Sequence, residues 1–223
     1  METIVISLGG SVLLADDVNE KYFDQLKQLL FSYDNTKIFV VVGGGPPARK
    51  YISMARLLGV PEELLDTLGI AVTRVNALFL VSILLGNECK VPSSFEEAVL
   101  SDQSLVVMGG TTPGHSTDFV GAQLASITKA DIFVIATNVD GVYDKDPRAN
   151  NDAVMYSSIS AEDLLKTYGS SWKSAGSNMV IDGPALQKIH SEKIPTVVIN
   201  GGNIDILRRV IDHQPFHGTI ITI

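Results

Sequence analysis

The chain has almost no cysteine, and this limits the chemistry open to it. Cys89 is the single cysteine among 223 residues. One thiol excludes an internal disulfide and a zinc site built from several cysteines, and it fits a reducing cytosol. Its polar neighbours predict an incidental rather than a reactive thiol.

Positive charge is also scarce. The chain has 17 Lys and Arg residues against 25 Asp and Glu residues, for a formal net charge of −8. A nucleic-acid binder needs a basic stripe to neutralise phosphates, and none is present, so no nucleic-acid partner is expected. If the protein binds an anion, it must concentrate its few cations and its backbone amides around it.

Long hydrophobic runs are missing as well. The longest strongly apolar run, Ala77 to Leu85, is about half of what a bilayer requires. The first residues, Met-Glu-Thr-Ile-Val-Ile-Ser, lack the basic region and the cleavage site of a secretory signal. The sequence therefore predicts a soluble cytoplasmic protein with no membrane partner.

Apolar, strand-like runs alternate with segments of helical periodicity. The strand-like runs are Thr3–Leu8, Lys37–Val42, Leu105–Met108, Asp131–Ala136, Thr196–Ile199 and Thr219–Ile223. The helical segments are Glu20–Ser32, Pro47–Leu58, Asp66–Leu85, Asp118–Thr128, Ser160–Lys166, Pro184–Lys193 and Asp205–His213. This alternation predicts an α/β fold, a three-layer α/β/α sandwich with a mostly parallel central sheet. We expect one domain over 1–223, with its weakest joint at the polar stretch Asp144–Asp152.

A polar segment follows the fourth strand-like run. Residues 137–147 read Thr-Asn-Val-Asp-Gly-Val-Tyr-Asp-Lys-Asp-Pro. In open α/β sheets, ligands bind beyond the carboxyl ends of the strands. Tyr143 offers a flat face for a base, and Asp140, Asp144 and Asp146 offer acceptors for a ribose or for a magnesium shell. The alternative is an ordinary acidic transition from strand to loop.

Two glycine loops follow the first two strand-like runs. The first loop, Gly9-Gly10-Ser11, lets backbone amides approach an oxyanion, although a plain turn explains it equally well. The second loop, Gly43-Gly44-Gly45, precedes two prolines typical of a helix start. Arg49 and Lys50 then fall in the first helical turn, where a cation is unfavourable unless an anion offsets the helix dipole. This favours a bound phosphate over a solvated pair of cations.

The third loop, residues 109–118, reads Gly-Gly-Thr-Thr-Pro-Gly-His-Ser-Thr-Asp. Its hydroxyls, imidazole and carboxylate suit a ring with mixed donors and acceptors, or a phosphate. For Asp118, a helix N-cap and a ligand contact remain equal alternatives. His115 has no obvious carboxylate partner, which favours a spectator over a general base.

These motifs resemble the amino acid kinase superfamily over nearly the whole chain. The resemblance rests on the three loops, on residues 137–147, on Asp66–Ala77 and on Gly176–Asp182. The third loop and the Asp66–Ala77 segment resemble the archaeal type of uridylate (UMP) kinase. The resemblance implies phosphorylation of UMP by ATP with Mg²⁺, in a homo-oligomer that is commonly a hexamer. It also implies an acceptor-binding lobe at roughly 1–130 and a nucleotide-binding lobe at roughly 131–223.

The resemblance assigns binding residues position by position. Those implied for ATP are Ser7, Leu8, Gly9, Gly10, Ser11, Gly45, Arg49, Thr137, Asn138, Tyr143 and Asp146. Those implied for UMP are Gly44, Asp66, Thr112, Pro113, Gly114, His115, Ser116, Thr117 and Asp118. No metal ligand is assigned.

One departure concerns catalysis. Many relatives carry a lysine on the first strand, where it supports the transferring phosphoryl group, and the matching residue here is Ser7. Another cation must supply that charge; the candidates are Arg49, Lys173 and Arg74, and we take Arg49 and Lys173 as the catalytic residues.

Other functions remain open. The nearest alternatives are isopentenyl phosphate kinase, acetylglutamate kinase or carbamate kinase of the same superfamily. The other is a nucleotide-binding sensor or storage protein without turnover.

Overall fold

The structure is a computed structural model that describes residues 1–14, 19–86, 90–171 and 180–223. Cys89, the predicted catalytic Lys173 and the first part of the Gly176–Asp182 motif lie outside the described residues.

A seven-stranded sheet runs through the described part of the chain. Its strands are β1 (Glu2–Leu8), β2 (Thr36–Val42), β3 (Leu105–Met108), β4 (Ile132–Thr137), β5 (Ser158–Ser160), β6 (Thr196–Asn200) and β7 (Thr219–Thr222). They lie in the order β3-β2-β1-β4-β6-β7-β5. From β3 to β6 all neighbours are parallel, whereas β7 is antiparallel to β6. The carboxyl ends of these five parallel strands therefore meet at one edge of the sheet.

Helices cover both faces of this sheet. They are α1 (Gly10–Leu13), α2 (Glu20–Leu30), α3 (Gly45–Leu57), α4 (Glu62–Leu85), α5 (Phe95–Val99), α6 (Thr117–Thr128), α7 (Ala161–Tyr168), α8 (Gly183–Glu192) and α9 (Ile204–Ile211). Successive side chains of a strand point to opposite faces. On β1, Ile4 and Ile6 pack in the core with α2, α4 and α9, while Val5 packs with α6, α7 and α8. The predicted three-layer α/β/α fold is confirmed.

The structure differs from the predicted elements at several places. The helix predicted from Asp66 begins a turn earlier, at Glu62, behind Pro61. Glu62 and Glu63 occupy its first turn, where acidic side chains suit the helix dipole. The short elements α1, α5 and β5 were not predicted, because segments of three to five residues are too short to show a period.

Helix α4 is the most apolar helix of the described structure. Its 24 residues are long and apolar enough, by length and composition, to cross a membrane. Its buried side chains Leu65, Ala77 and Leu80 pack in the interior, and its polar side chains contact two glycine loops. One face of α4 therefore packs in the interior, while apolar side chains on its other face, such as Val75 and Leu78, are exposed.

Candidate active site

The three glycine loops begin at the ends of three adjacent strands. The first loop follows Leu8 of β1, the second follows Val42 of β2, and the third follows Met108 of β3. Leu8 pairs with Val42, and Val41 pairs with Met108, so the strands end at the same level. The structure therefore brings the loops together at the carboxyl edge of the sheet.

The first and second loops pack backbone against backbone. A Cβ atom on Gly10 would lie 2.3 Å from the nitrogen of Gly45 and 2.5 Å from the carbonyl oxygen of Gly43. Gly45 has a φ of +62°, a conformation that favours glycine. The Gly43 amide donates to the carbonyl of Leu8 at 2.9 Å. Only glycines allow this contact.

The contact leaves backbone amides available for a ligand. Among the described residues, no acceptor faces the amides of Gly10, Ser11, Gly44 or Gly45. Gly45 is also the first residue of α3, which adds the partial positive charge of a helix N-terminus. Convergent, unpaired amides at such a position are suited to phosphate oxygens.

Arg49 belongs to this junction. Helix α3 begins at Gly45, two residues before the predicted start, so the prediction that Arg49 and Lys50 fall in its first turn is wrong: they are its fifth and sixth residues. The Nη2 of Arg49 donates to Oγ of Ser11 at 3.2 Å. The guanidinium thus reaches from the second loop to the first while remaining exposed to solvent. The structure brings together the two predicted residues Arg49 and Ser11.

Ser7, at the position of the family's lysine, contacts the carboxylate of Asp118. It is buried at the end of β1, and its Oγ donates to Oδ1 of Asp118 at 2.6 Å. Burial raises the pKa of Asp118 to about 7; the charge of Asp182 adds to the rise and the Ser7 hydrogen bond opposes it. The residue that stands in place of the lysine therefore holds a carboxyl group that is easily protonated.

Asp182, the N-cap residue of α8, interacts with this carboxylate through its charge. It accepts from the amide of Ala185 at 2.9 Å, which caps α8, and from the hydroxyl of Ser116. Burial raises the pKa of Asp182, and the hydrogen bonds from Ser116 and Ala185 oppose the rise. Sequence reasoning assigned Asp182 no role, because its partner Ser116 is distant in the chain.

The N-cap of α6 is Ser116, whose hydroxyl accepts from the Phe119 amide at 3.0 Å. The interpretation of Asp118 as that N-cap is therefore wrong. Thr117 is the first residue of α6, and Asp118, the second, is left to contact Ser7.

The remaining predicted acceptor residues are held close together. Oδ2 of Asp66, on α4, accepts from the Gly114 amide at 2.7 Å. The ring of His115 stacks on Phe119 with centroids 4.1 Å apart, and its Nδ1 lies 3.0 Å from Oγ1 of Thr112. Pro113 lies between these two exposed side chains. These contacts make His115 part of the loop's own packing, in line with a spectator role.

Two of the four residues predicted for adenine and ribose, Tyr143 and Asp146, line a separate cavity. The cavity has a volume of about 330 Å³. Its lining includes the aromatic rings of Tyr143 and Tyr168 and apolar side chains such as Val142, Leu164 and Ile181. Aromatic and aliphatic walls of this kind suit a planar base. Thr137 and Asn138 lie at the end of β4, just before Val139, the first residue of the lining.

The cavity lining carries charges of both signs, with Asp144 and Asp146 beside Lys145 and Arg148. Hydrogen bonds from the amide and side chain of Arg148 lower the pKa of Asp146. Burial and the nearby Asp140 raise the pKa of Tyr143. Oδ1 of Asp140 accepts from Nδ2 of Asn200 at 2.8 Å, which ties the end of β4 to the end of β6. Asn200 and Tyr168 were missed by sequence reasoning, because neither lies in a recognisable motif.

The sequence is similar to that of known proteins over most of its length. The model of the amino acid kinase family matches residues 2–200. The chain is 44% identical over 209 residues to a uridylate kinase of Archaeoglobus fulgidus, covering 93% of this chain and 94% of that protein. It is also 44% identical over 227 residues to a uridylate kinase of Methanococcus maripaludis strain C6, covering 98% and 99%.

Solved structures show the same similarity. The crystal structure of uridylate kinase from Archaeoglobus fulgidus matches with a TM-score of 0.82 and 41% identity, covering 100% of both chains. The crystal structure of UMP kinase from Ureaplasma parvum matches with a TM-score of 0.79 and 25% identity, covering 100% of this chain and 99% of that one.

Proposed function

The chain belongs to the amino acid kinase family, and we propose that it is a nucleoside monophosphate kinase that phosphorylates UMP with ATP, giving UDP and ADP. This proposal rests mainly on one observation: the first and second glycine loops, which are suited to phosphates, lie beside the third loop at one edge of the sheet. The similarity to uridylate kinases over more than nine-tenths of the chain supports the choice of UMP.

The acceptor needs no protein base. The second pKa of a phosphate monoester is about 6, so an oxygen of UMP is already ionised near neutral pH. That oxygen attacks the γ-phosphorus in line, and the bond from this phosphorus to the oxygen it shares with the β-phosphate breaks, leaving ADP. Catalysis is then positioning and charge stabilisation, which suits a site rich in backbone amides.

We assign the phosphates to the junction of the first and second loops. The unpaired amides of Gly10, Ser11 and Gly45 would hold the phosphates of ATP, and Gly44 would face the phosphate of UMP. Arg49 would stabilise the charge that develops during transfer, since its side chain already spans the junction. Lys173 remains a second proposed catalytic cation, and it lies outside the described residues.

UMP would lie against the third loop. Asp66 uses Oδ2 for the Gly114 amide, and we propose that Oδ1 accepts from the ribose hydroxyls. The remaining groups proposed for UMP are Thr112, Pro113, Gly114, His115, Ser116, Thr117 and Asp118.

The adenine of ATP would occupy the cavity beside Tyr143. Its aromatic and aliphatic lining supports this placement. Thr137, Asn138 and Asp146 would also lie near the adenine and ribose. The proposed adenine and ribose groups thus lie in the nucleotide-binding lobe, roughly 131–223. The proposed UMP groups lie in the acceptor-binding lobe, roughly 1–130, which also supplies the loops proposed for the phosphates of ATP.

Mg²⁺ is proposed as part of the ATP complex. Among the described residues, no group of three or more His, Cys, Asp or Glu side chains could hold a metal ion. Magnesium in kinase sites is usually bound by substrate phosphates, water and one or two carboxylates. Asp118, beside the first loop, is the carboxylate that would face it, and when bound the ion would neutralise phosphate charge.

We also propose a cytoplasmic homo-oligomer, a hexamer by family resemblance. Large apolar side chains are exposed on two packed helices. They are Tyr51, Met54 and Leu57 on α3, Leu58 directly after it, and Leu64, Leu68, Val75, Leu78 and Phe79 on α4. An exposed apolar surface of this extent marks an interaction site. Val75→Glu should shift the mass measured by light scattering after gel filtration toward smaller species; an unchanged mass would place the interface elsewhere.

A coupled assay of ADP release tests the function. Purified protein with ATP and Mg²⁺ should turn over UMP faster than CMP, dUMP, isopentenyl phosphate or acetylglutamate. Faster turnover of isopentenyl phosphate or acetylglutamate would assign another member of the family. Tight ATP binding without turnover of any acceptor would support a nucleotide sensor instead.

A further inference from the structure

The middle of α4 carries polar side chains that an otherwise apolar helix does not need for packing. Asn76 is 4% exposed and Thr73 is 7% exposed, and Arg74 lies between the helix and the third loop. A buried polar side chain is costly unless its hydrogen bonds are made. All three side chains bond to the backbone of the second or third glycine loop. Thr73 also donates to the carbonyl of Ile70 in its own helix, at 2.7 Å.

Asn76 acts on the second loop. Its Nδ2 donates to the carbonyl of Gly43 at 2.8 Å and to that of Gly44 at 3.1 Å. Holding these carbonyls inward fixes the peptide planes of the loop. The same planes carry the amides of Gly44 and Gly45, which have no acceptor among the described residues. Asn76 therefore orients groups proposed for the phosphates without touching them.

Thr73 and Arg74 act on the third loop. Oγ1 of Thr73 accepts from the Gly110 amide at 2.7 Å. Arg74 donates from Nε to the carbonyl of Gly110 at 3.1 Å and from Nη2 to that of Thr111 at 3.2 Å. A second bond from Nη2, at 3.2 Å, reaches the carbonyl of Ser93. The guanidinium of Arg74 is thus engaged by three carbonyls, which argues against its role as the missing catalytic cation.

The glycine at the start of the third loop supports this arrangement. A Cβ atom on Gly109 would lie 2.8 Å from the nitrogen of Arg74 and 2.8 Å from the carbonyl carbon of Thr73. The loop therefore lies directly on the backbone of α4, with no room for a side chain between them. Helix α4 is a rigid template for the acceptor side of the site.

We propose that Thr73, Arg74 and Asn76 form a clamp, here called the α4 clamp, that positions both loops for phosphoryl transfer. Asn76 sets the second loop, so its loss should reduce kcat. Thr73 and Arg74 hold the third loop in position, so their loss should weaken the binding of UMP. The inference rests on the proposed function, and it makes these residues positioning residues that do not contact the reacting atoms.

Steady-state kinetics of three variants separate the two halves of the clamp. Asn76→Leu, which removes the donor at similar size, should lower kcat about tenfold or more, since misplacement of about 1 Å can cost about 10²-fold. Arg74→Lys and Thr73→Val should raise the KM for UMP about tenfold and change kcat and the KM for ATP less than twofold. Arg74→Lys keeps the positive charge, whereas Arg74→Met removes it. If kcat and the KM for UMP are unchanged in Arg74→Lys and kcat is low in Arg74→Met, Arg74 acts through its charge and its positioning role is overturned.

Arg56→Lys is the matched control. Arg56 forms the same kind of fork with Glu62, through Nε at 2.6 Å and Nη2 at 2.8 Å, but on the surface and away from the loops. It should leave kcat and both KM values unchanged. Equal losses of kcat and of both substrates' affinities in all three clamp variants, together with lower Tm, would reduce the clamp to a structural role.

Amide hydrogen exchange of the ligand-free variants tests the clamp independently of UMP. Asn76→Leu should speed exchange in peptides covering 43–50, and Arg74→Lys in peptides covering 109–118. If Asn76→Leu does not fold, Asn76→Ser keeps a hydroxyl donor and should give an intermediate kcat. Unchanged exchange in both loops would overturn the clamp. Inactivity of the wild-type protein toward UMP would instead overturn the proposed function.

Discussion

Gly10→Ala should inactivate the protein by separating the first and second glycine loops. The new Cβ atom would lie 2.3 Å from the nitrogen of Gly45, whereas ordinary contact begins at 3.4 Å. Its close neighbours, Gly43, Gly44 and Gly45, all present backbone atoms, which cannot rotate away as a side chain can. The loops must therefore move apart by roughly 1 Å.

The size of the effect follows from that displacement. Misplacing groups by about 1 Å can cost about 10²-fold in rate, so kcat for UMP phosphorylation should fall by at least that factor. Overpacking of a tight contact costs about 1–3 kcal/mol of stability. For a chain of this size, each kcal/mol lowers Tm by roughly 2–4 °C. The variant should therefore remain folded at 25 °C and be inactive.

Gly69→Ala is the matched control for this substitution. Gly69 lies within α4, and a Cβ atom there would meet only Cδ1 of Ile52, at 3.5 Å. Alanine should stabilise the helix by about 0.5–1 kcal/mol and leave activity unchanged. The coupled ADP assay and thermal melts measure both variants. Near-normal kcat in Gly10→Ala would refute the close contact of the loops and the phosphate site built on it.

Three further predictions concern charged residues. Arg49→Ala should lower kcat about 10²-fold with little change in Tm, because an exposed cation near a helix N-terminus contributes little to stability; near-normal kcat would assign the catalytic charge to Lys173. Asp66→Asn should raise the KM for UMP about tenfold and leave that for ATP unchanged, through loss of charge-assisted hydrogen bonds; equal effects on both substrates would remove Asp66 from the acceptor site. The pKa of Asp118 is raised from 3.8 to about 7, so its contribution to stability is present below about pH 4 and is lost as pH rises through about 7. The Tm of Asp118→Asn relative to that of the wild type should accordingly rise between about pH 4 and about pH 7 and level off above it. A Tm difference that does not change with pH would contradict the raised pKa.

Much of the fold is contained in local sequence patterns. The apolar runs that became β1, β2, β3, β4 and β6 are short, rich in branched side chains and ended by glycine or polar residues. Hydrophobic periodicity of this kind reports directly on strands and helices. Parallel strands end at one edge of a sheet, and this brings the three glycine loops that follow them to the same place. The antiparallel direction of β7 and the short β5 have no comparable local signal.

The partners of the polar side chains were decided only by the tertiary structure. Ser7 and Asp118 are 111 residues apart, and Ser116 and Asp182 are 66 residues apart. No local period links such positions, because their contact depends on how α6 and α8 pack against the sheet. For this reason Asp118 could be read as an N-cap until Ser116 was seen to cap α6.

The division between sequence and structure is sharpest on α4. By itself the sequence determined that this segment is an apolar helix and that glycine loops follow the strands beside it. It could not determine which polar side chains of the helix face those loops, since that depends on the rotation and height of α4 against the sheet. Only the packed structure places Asn76 under the second loop and Arg74 under the third, where main-chain carbonyls, which carry no sequence signal, are their partners.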